Sequence, residues 1–516
     1  MKQYGSFKTI PIQVDNMPNY LHLKNGTDVR GTVIEAPGDP VTLTDDALSA
    51  IAKAFCFWLG TKKHISRPTI AIGHDSRISA EHIVSVLTES ITACGNSVIL
   101  TGLSSTPSMF MLLQDDFGAD ASIMITASHL PYQKNGLKFF VREGGLESTD
   151  ISEILELAGQ GVNVSSSEHP TVTKRSYIEK YSADLVNKVR AATGEDRPLA
   201  GKRILVDAGN GAGGFYESLV LKPLGADTTG SQFLEPDGSF PNHIPNPENA
   251  GAMESVCAAV KAHKADLGII FDTDVDRAGA VSSKGEEINR NRLIALISAI
   301  LLREQKGAYI VTDSVTSDGL ASFIEAHGGI HHRFKRGYKN VINESKRLNA
   351  EGKYSPLAIE TSGHAALKEN YFLDDGAYLV TRLLIALSKA AKEGKDLMEL
   401  ISDLPEPKEA TEIRLSFKPD TDFKTLGNGV IEDLKKIAQE REYLSLAPDN
   451  YEGVRINFDR SHGGGWVLVR MSLHEPIMPI NVESDMKGGN AVIIGELYDF
   501  MKGYPFLNLE NLKKQS

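Results

Sequence analysis

Leu267-Gly-Ile-Ile-Phe271-Asp272-Thr-Asp274-Val-Asp276-Arg277 sets three carboxylates at alternate positions directly after a short apolar run. The run reads as a buried strand leaving into a loop. In an extended chain, residues i, i+2 and i+4 share one face, so the three acids are expected to converge on one ion. Oxygen-only donors suit Mg²⁺, Ca²⁺ or Mn²⁺ rather than zinc or copper. A polar turn with solvated acids explains most isolated stretches of this kind. An EF-hand does not fit, because its glycine position holds Arg277 and its twelfth position Ser283.

A second stretch has the same strand-to-loop character. Ala121-Ser-Ile-Met-Ile125 leads into Thr126-Ala-Ser128-His129-Leu-Pro-Tyr-Gln-Lys-Asn135-Gly136-Leu-Lys138. A hydroxyl beside an imidazole, with a lysine ten residues on, can act as a nucleophile with basic neighbours. Adjacency alone is a weak signal, since neighbouring side chains in a strand point to opposite faces. The G-x-S-x-G elbow of hydrolases is absent, and a capping serine in a turn is the plainer alternative.

Taken together, the two stretches narrow the reading. The pattern S-H-x-P-x-x-x-N-G-x-K followed about 144 residues later by D-x-D-x-D-R resembles the α-D-phosphohexomutase family of phosphoglucomutases, phosphomannomutases and phosphoglucosamine mutases. Glu360-Thr-Ser362-Gly363-His364 resembles its sugar-binding loop. Arg470-Met-Ser472-Leu-His474-Glu475-Pro476 resembles its C-terminal phosphate loop, and Asn25-Gly-Thr27-Asp-Val-Arg30-Gly31 its opening block. The resemblance spans nearly the whole chain, in family order.

Bulk properties agree with this. A chain of 516 residues divides into three or four domains, each large enough for its own core. With 41% hydrophobic and 24% charged residues the composition is that of a soluble globular protein. A net charge of −12 argues against broad nucleic-acid binding, so an anion site must be locally basic. Cys56, Cys94 and Cys257 are odd in number and far apart in sequence, which fits a reducing compartment rather than a disulfide framework. No stretch approaches ~20 uninterrupted apolar residues, so no membrane span is expected. Pro11, Asp15 and Pro18 interrupt the opening segment, against a secretory signal. The expected location is cytoplasmic, or an organelle stroma after removal of a transit peptide.

Apolar β-rich runs alternate with helical patterns, which indicates α/β architecture. Thr69–Asp75, Arg203–Asp207 and Tyr309–Asp313 each read as a buried strand ending in aspartate, the first strands of three similar units. The glycines of Asp207–Gly214 do not fall in G-x-G-x-x-G register, so a tight strand-to-helix turn is expected rather than a dinucleotide site. The proline-rich 233–247 segment reads as a connection without chemistry. Boundaries are placed near residue 185, at Arg303–Gly307 and at Leu404–Lys408. The expected domains are thus 1–185, 186–303, 304–406 and 407–516. The resemblance implies three mixed α/β domains and a smaller C-terminal α+β domain around a central cleft.

The resemblance also implies roles. Ser128 carries a phosphoryl group, donates it to a sugar hydroxyl to give a bisphosphorylated sugar, and recovers the other phosphate after that sugar reorients. Asp272, Asp274 and Asp276, with Ser128, hold Mg²⁺, and a sugar 1,6-bisphosphate acts as activator. Arg277 orients the phosphoserine or sugar. Lys138 with Arg30, and more weakly His129, handle the proton. Glu360, Ser362 and His364 grip the sugar, with Lys335 and Arg336 as phosphate contacts. Arg470, Ser472 and His474 take the non-reacting phosphate. The implied partner is a hexose phosphate, glucose or mannose first, and the implied assembly a monomer or homodimer.

Departures from the family pattern lie mostly in the phosphate grip. Leu473 and His474 replace a glycine and a threonine, and Pro479 stands where an arginine is common. Leu130 follows Ser128-His129 in place of the usual asparagine, Thr273 and Val275 stand where glycines are common, and Asp28 lies near a position often held by serine. The chain therefore reads as an atypical branch. Two alternatives stay open beside the mutase: a sugar-bisphosphate synthase or phosphoglucosamine mutase variant, and a sugar-phosphate-binding regulatory relative with little turnover.

Overall fold

The runs Thr69–His74, Ile204–Asp207 and Tyr309–Thr312 form the expected strands, and each ends on or beside a buried aspartate: Asp75, Asp207 and Asp313. In the computed structural model, residues 18–162, 169–472 and 475–515 are described. The chain folds as two compact units. One holds the described residues up to Ile288 with Ser362–His364 and Leu373–Lys395. The other holds Asn289–Thr361, Ala365–Phe372 and the described residues from Asp396 onward. No helix among the described residues is long and apolar enough to cross a membrane.

Two sheets lie wholly within the described residues of the first unit. In the larger, parallel strands Ser97–Leu103, Thr69–His74 and Ala121–Ile125 are followed by Lys134–Val141, antiparallel to Ala121–Ile125, and by Asp28–Thr32, antiparallel to Lys134–Val141. Helix Asp45–Lys62 starts where Thr44 accepts from the Ala47 N–H, with Asp45 and Asp46 favourably placed at the positive helix end. Its buried face, including Leu48, Ile51, Phe55 and Leu59, packs into the core with Ile72, Ile123 and Phe139. In the second sheet, Ile204–Asp207 and Leu267–Phe271 are parallel and Ala278–Ser282 antiparallel to the latter. The glycine-rich segment after Asp207 is the tight turn expected. It enters a 3-10 turn at Ala212–Gly214 and a π-helical turn at Tyr216–Leu221. Residue 185 lies inside helix Ile178–Thr193 and residue 303 inside helix Arg290–Glu304.

One buried arginine shapes the loop after Ala121–Ile125. The Arg77 guanidinium donates to the carbonyls of Leu130 at 2.6 Å, Pro131 at 2.8 Å and Lys134 at 2.8 Å, and also to that of Ser128. Asp75 lies 3.3 Å from its Nε, and both side chains are buried. The Phe240 ring lies 5.3 Å away. The proline-rich 233–247 connection, expected only to link strands, therefore reaches the loop of another sheet through Phe240.

In the second unit, Ile330–Arg333, Tyr309–Thr312 and Leu357–Ile359 are parallel, and Ala365–Leu367 is antiparallel to the last. The C-terminal part is an antiparallel sheet in the order Glu409–Ser416, Ile477–Ser484, Gly465–Val469, Val454–Phe458, Leu444–Leu446. Helices Phe423–Glu440 and Gly489–Met501 bury Val430, Leu434, Ile493 and Leu497 against it. Arg455 donates from this sheet to Asp318 at 2.7 Å and to the Thr316 carbonyl at 2.9 Å. Trp466 donates to buried Glu483 at 3.1 Å, and burial pushes the Glu483 carboxyl up to about 7.

Arg77→Lys cannot serve four carbonyls, and should cost about 1–3 kcal/mol for buried acceptors left unpaired. Thermal melts, with limited proteolysis between Ser128 and Lys134, measure it; wild-type resistance would remove Arg77 as the pin of that loop. For Glu483, the folded state keeps a proton between the ordinary 4.5 and about 7 that the unfolded chain has released. Stability from this group is therefore full below the lower value and lost as pH rises through the upper one. Glu483→Gln should remove that loss, on the order of 3 kcal/mol at pH 8. Urea unfolding read by Trp466 fluorescence in a Trp58→Phe background checks this, and an unchanged pH slope would contradict it.

Candidate active site

Strand Leu267–Phe271 ends before the acids, so they do not converge by strand alternation. They lie in a tight turn whose Val275 has φ +66°, a left-handed conformation costly for a β-branched residue. This corrects the extended geometry expected of the loop, although the convergence itself is present. Asp272, Asp274 and Asp276 are all buried, and oxygens from the three lie within 4.8 Å of one another. Gly211 underlies this turn: a Cβ there would stand 2.7 Å from the Thr273 carbonyl oxygen, which accepts from the Ala212 N–H at 2.8 Å.

The serine stretch is also a turn rather than an extended strand. Ser128 has φ +50°, and its N–H donates to Thr126 Oγ1 at 2.9 Å. That conformation brings its Oγ to 3.3 Å from His129 Nδ1, a proximity that strand geometry would forbid. Ser128 Oγ donates to Asp272 Oδ2 at 2.8 Å, so the two sequence signals meet in one place. Gly136 permits the close packing behind it, since a Cβ there would lie 2.3 Å from the Val29 carbonyl oxygen.

Cations surround the acids. The Lys138 ammonium donates to Asp274 at 2.9 Å and to Asp276 at 2.5 Å. Arg30 donates to Asp28 at 2.9 Å and to the Ala127 carbonyl at 3.3 Å, so Asp28 supplies the anchor for Arg30. Burial alone would lower the Arg30 guanidinium, and Asp28 and Asp274 together more than offset it. Arg277 donates to His129 Nδ1 at 3.0 Å and lies 3.8 Å from both Asp272 and Glu248. Burial, then Arg277 and Arg30, lower the His129 imidazole to about 2, which keeps it neutral. Burial, with Asp276 and Asp274 beside it, raises the Asp272 carboxyl well above its usual range. Burial would raise Asp276 too, but Lys138, His364 and Arg277 hold it well below.

His364 joins this group. Its Nδ1 is in contact with the Asp374 carboxylate, and Asp276, His364 and Asp374 form a second close cluster of potential ligands. Burial works against a charged His364, and Asp374 raises it nonetheless. Ser362 is buried two residues before it. Among the described residues, Asp274 Oδ1 and Asp276 Oδ1 are buried without a hydrogen-bond partner. Unpaired carboxylate oxygens in an all-oxygen cluster fit a hard divalent cation.

The remaining predicted residues belong to the other unit. Glu360 is buried and accepts from the Gly337 N–H at 2.6 Å. Lys335 is exposed. Arg336 Nε lies 3.9 Å from buried Asp313, and its N–H donates to Glu452 at 3.0 Å. Arg470 lies 3.9 Å from Glu452, and burial lowers its guanidinium. Ser472 Oγ accepts from the Glu475 N–H at 3.3 Å. His474 lies outside the described residues.

Several contributors escaped sequence reasoning. Thr106 donates to Asp274 at 2.5 Å, and Ser105-Thr106-Pro107 carries a readable helix-start signal that pointed to no site. Asp374 precedes a capped helix start at Asp375, where Asp375 accepts from the Tyr378 N–H at 2.8 Å. Nothing in the sequence marks Arg77 or Glu248.

Comparison with known proteins agrees with this geometry. Models of the phosphoglucomutase/phosphomannomutase alpha/beta/alpha domains I, II and III match residues 22–161, 177–285 and 289–407. A phosphoglucomutase of Neisseria gonorrhoeae is 31% identical over 459 residues, covering 89% of this chain and 92% of that protein. A phosphomannomutase/phosphoglucomutase of Pseudomonas aeruginosa is 30% identical over 464 residues, covering 89% and 90%. The crystal structure of a phosphoglucomutase/phosphomannomutase family protein from Burkholderia thailandensis matches with a TM-score of 0.78 at 25% identity, covering 94% of this chain and 98% of that one. With the serine, the acid turn and the fold in agreement, the chain belongs to the phosphoglucomutase/phosphomannomutase family of α-D-phosphohexomutases.

Proposed function

We propose that this chain interconverts hexose 1-phosphate and hexose 6-phosphate, with glucose or mannose as the sugar. The observation that carries the reading is the 2.8 Å hydrogen bond from Ser128 Oγ to Asp272 within a buried triad of acids. Phosphoryl transfer depends chiefly on positioning and charge stabilisation, and this arrangement offers both. In the first half-reaction the bond from phosphorus to Ser128 Oγ breaks and a bond to the free sugar hydroxyl forms. The hydroxyl proton passes to a basic group, for which Lys138 in its neutral amine form is assigned, with Arg30 as the cationic neighbour that favours that form. The bisphosphorylated sugar then returns its other phosphate to Ser128 by the reverse exchange.

Asp272, Asp274 and Asp276 would hold a divalent cation, assigned as Mg²⁺, with an oxygen at Ser128 as a further ligand. When bound, such an ion neutralises charge on the transferring phosphoryl group. Arg277, tied to neutral His129, is assigned to orient the phosphorylated serine. This favours His129 as an orienting neighbour over a charged acid. Ser362, His364 and Glu360 are assigned to sugar hydroxyls, Lys335 and Arg336 to phosphate contacts, and Arg470, Ser472 and His474 to the non-reacting phosphate. A sugar 1,6-bisphosphate is the proposed activator, because it can phosphorylate Ser128. The division into 1–185, 186–303, 304–406 and 407–516 is retained as the proposed domain plan.

Two variants test this in a coupled assay of glucose 1-phosphate conversion. Ser128→Ala should lose activity by on the order of 10³-fold or more while its melting temperature is kept, because no carrier remains. Asp274→Asn should need on the order of 10–100-fold more Mg²⁺ for half-maximal rate. Undiminished turnover in the first, or an unchanged metal response in the second, would remove that residue from its role.

A further inference from the structure

Arg470 and Arg336, read above as phosphate contacts, already face an anion of the chain's own. Glu452 Oε2 accepts from Ser314 Oγ at 2.5 Å and from the Arg336 N–H at 3.0 Å. Its other oxygen, Oε1, lies 3.9 Å from Arg470 Nη1, an ion-pair distance outside hydrogen-bond reach. A hydroxyl, a backbone N–H and a guanidinium thus converge on one carboxylate. Arg470 Nε is buried with no hydrogen-bond partner among the described residues, which leave the guanidinium incompletely used.

We propose that Glu452 is an internal stand-in for a phosphate group, held by Ser314, the Arg336 N–H and Arg470 until a phosphate monoester displaces it. The proposal rests on the phosphate reading of Arg470 and Arg336 and adds Ser314 and Glu452 to it. A carboxylate offers two oxygens and one negative charge. A phosphate monoester offers three terminal oxygens and nearly two charges, and matches an arginine fork better. Exchange would therefore replace a partial ion pair with a complete one, while a neutral sugar could not drive it. Glu452 becomes a selectivity element: ligands must carry a strong anion to gain the site.

Local structure favours side-chain displacement over refolding. Glu452 sits between a held aromatic and a constrained turn. The Tyr451 ring lies 5.0 Å from Phe334 and 5.6 Å from His332. Gly453 has φ +61°, and a Cβ there would stand 2.1 Å from the Val469 carbonyl oxygen. The backbone is thus fixed on both sides, whereas the Glu452 side chain keeps 17% exposure and a path to water.

The test is calorimetric titration of the full chain with inorganic phosphate and with glucose 6-phosphate, for wild type, Glu452→Gln and Glu452→Asp. Gln keeps an acceptor for Ser314 and Arg336 but no charge, so both ligands should bind roughly tenfold tighter, the scale of one charge-assisted hydrogen bond regained. Asp, with its charge one methylene further back, should give a smaller gain in the same direction. Adding Arg470→Gln to Glu452→Gln should abolish the gain. Unchanged or weaker binding in both single variants would overturn the proposal, as would a gain that survives loss of Arg470. The mutase reading fails separately: no glucose 1-phosphate turnover in wild type would sink it while a tenfold phosphate gain still upheld the Glu452 exchange.

Discussion

Three carboxylates buried in one short turn repel each other, and the first unit is organised around that repulsion. Lys138 bonds to Asp274 and Asp276, Arg277 borders Asp272 and Asp276, and Thr106 donates to Asp274. Burying so much charge is tolerable only with such compensation. The same concentration of charge suits the site to a divalent cation and to a phosphoryl group that carries its own negative charge. Ser128, hydrogen-bonded to Asp272, sits where both would meet.

Holding the serine there requires strained and heavily bonded backbone. Ser128 and Val275 both lie in the left-handed region, Ser128 at φ +50° and Val275 at φ +66°. Arg77 fixes the serine loop through four carbonyls and rests against Phe240 from a connection in the neighbouring sheet. Backbone strain of order 1–3 kcal/mol per residue persists only where the surroundings over-determine it. Here the surroundings are visible: Arg77 on one loop, and Gly211 packed under the other.

Much of this was legible in the sequence, for identifiable reasons. Apolar runs ending in aspartate marked Thr69–His74, Ile204–Asp207 and Tyr309–Thr312, because a buried strand that exits into a polar turn leaves that signature. The three acids stood out because a hard cation calls for oxygen donors, whereas Ser128 stood out only through the motif resemblance, since on its own residues a capping serine was the plainer reading. The way the acids converge was not legible, because alternate spacing suits a strand while Val275 adopts a conformation usually left to glycine. Arg77 was invisible because bonds to main-chain carbonyls depend on the path of the chain and not on residue identity. Asp28, marked as a departure, could not be read as the partner of Arg30 without the strand that places them side by side. Glu452 lay in no motif, yet it occupies the donors that the phosphate reading assigns to a ligand.

Every role proposed at the acid turn depends on Ser128 carrying the phosphoryl group. Peptide mass spectrometry of the full chain after incubation with glucose 1,6-bisphosphate and Mg²⁺, and again after addition of excess glucose 1-phosphate, tests it most directly. The expected result is a phosphate on Ser128 that leaves on the second addition. A folded chain that never carries phosphate at Ser128 while converting glucose 1-phosphate to glucose 6-phosphate would contradict it.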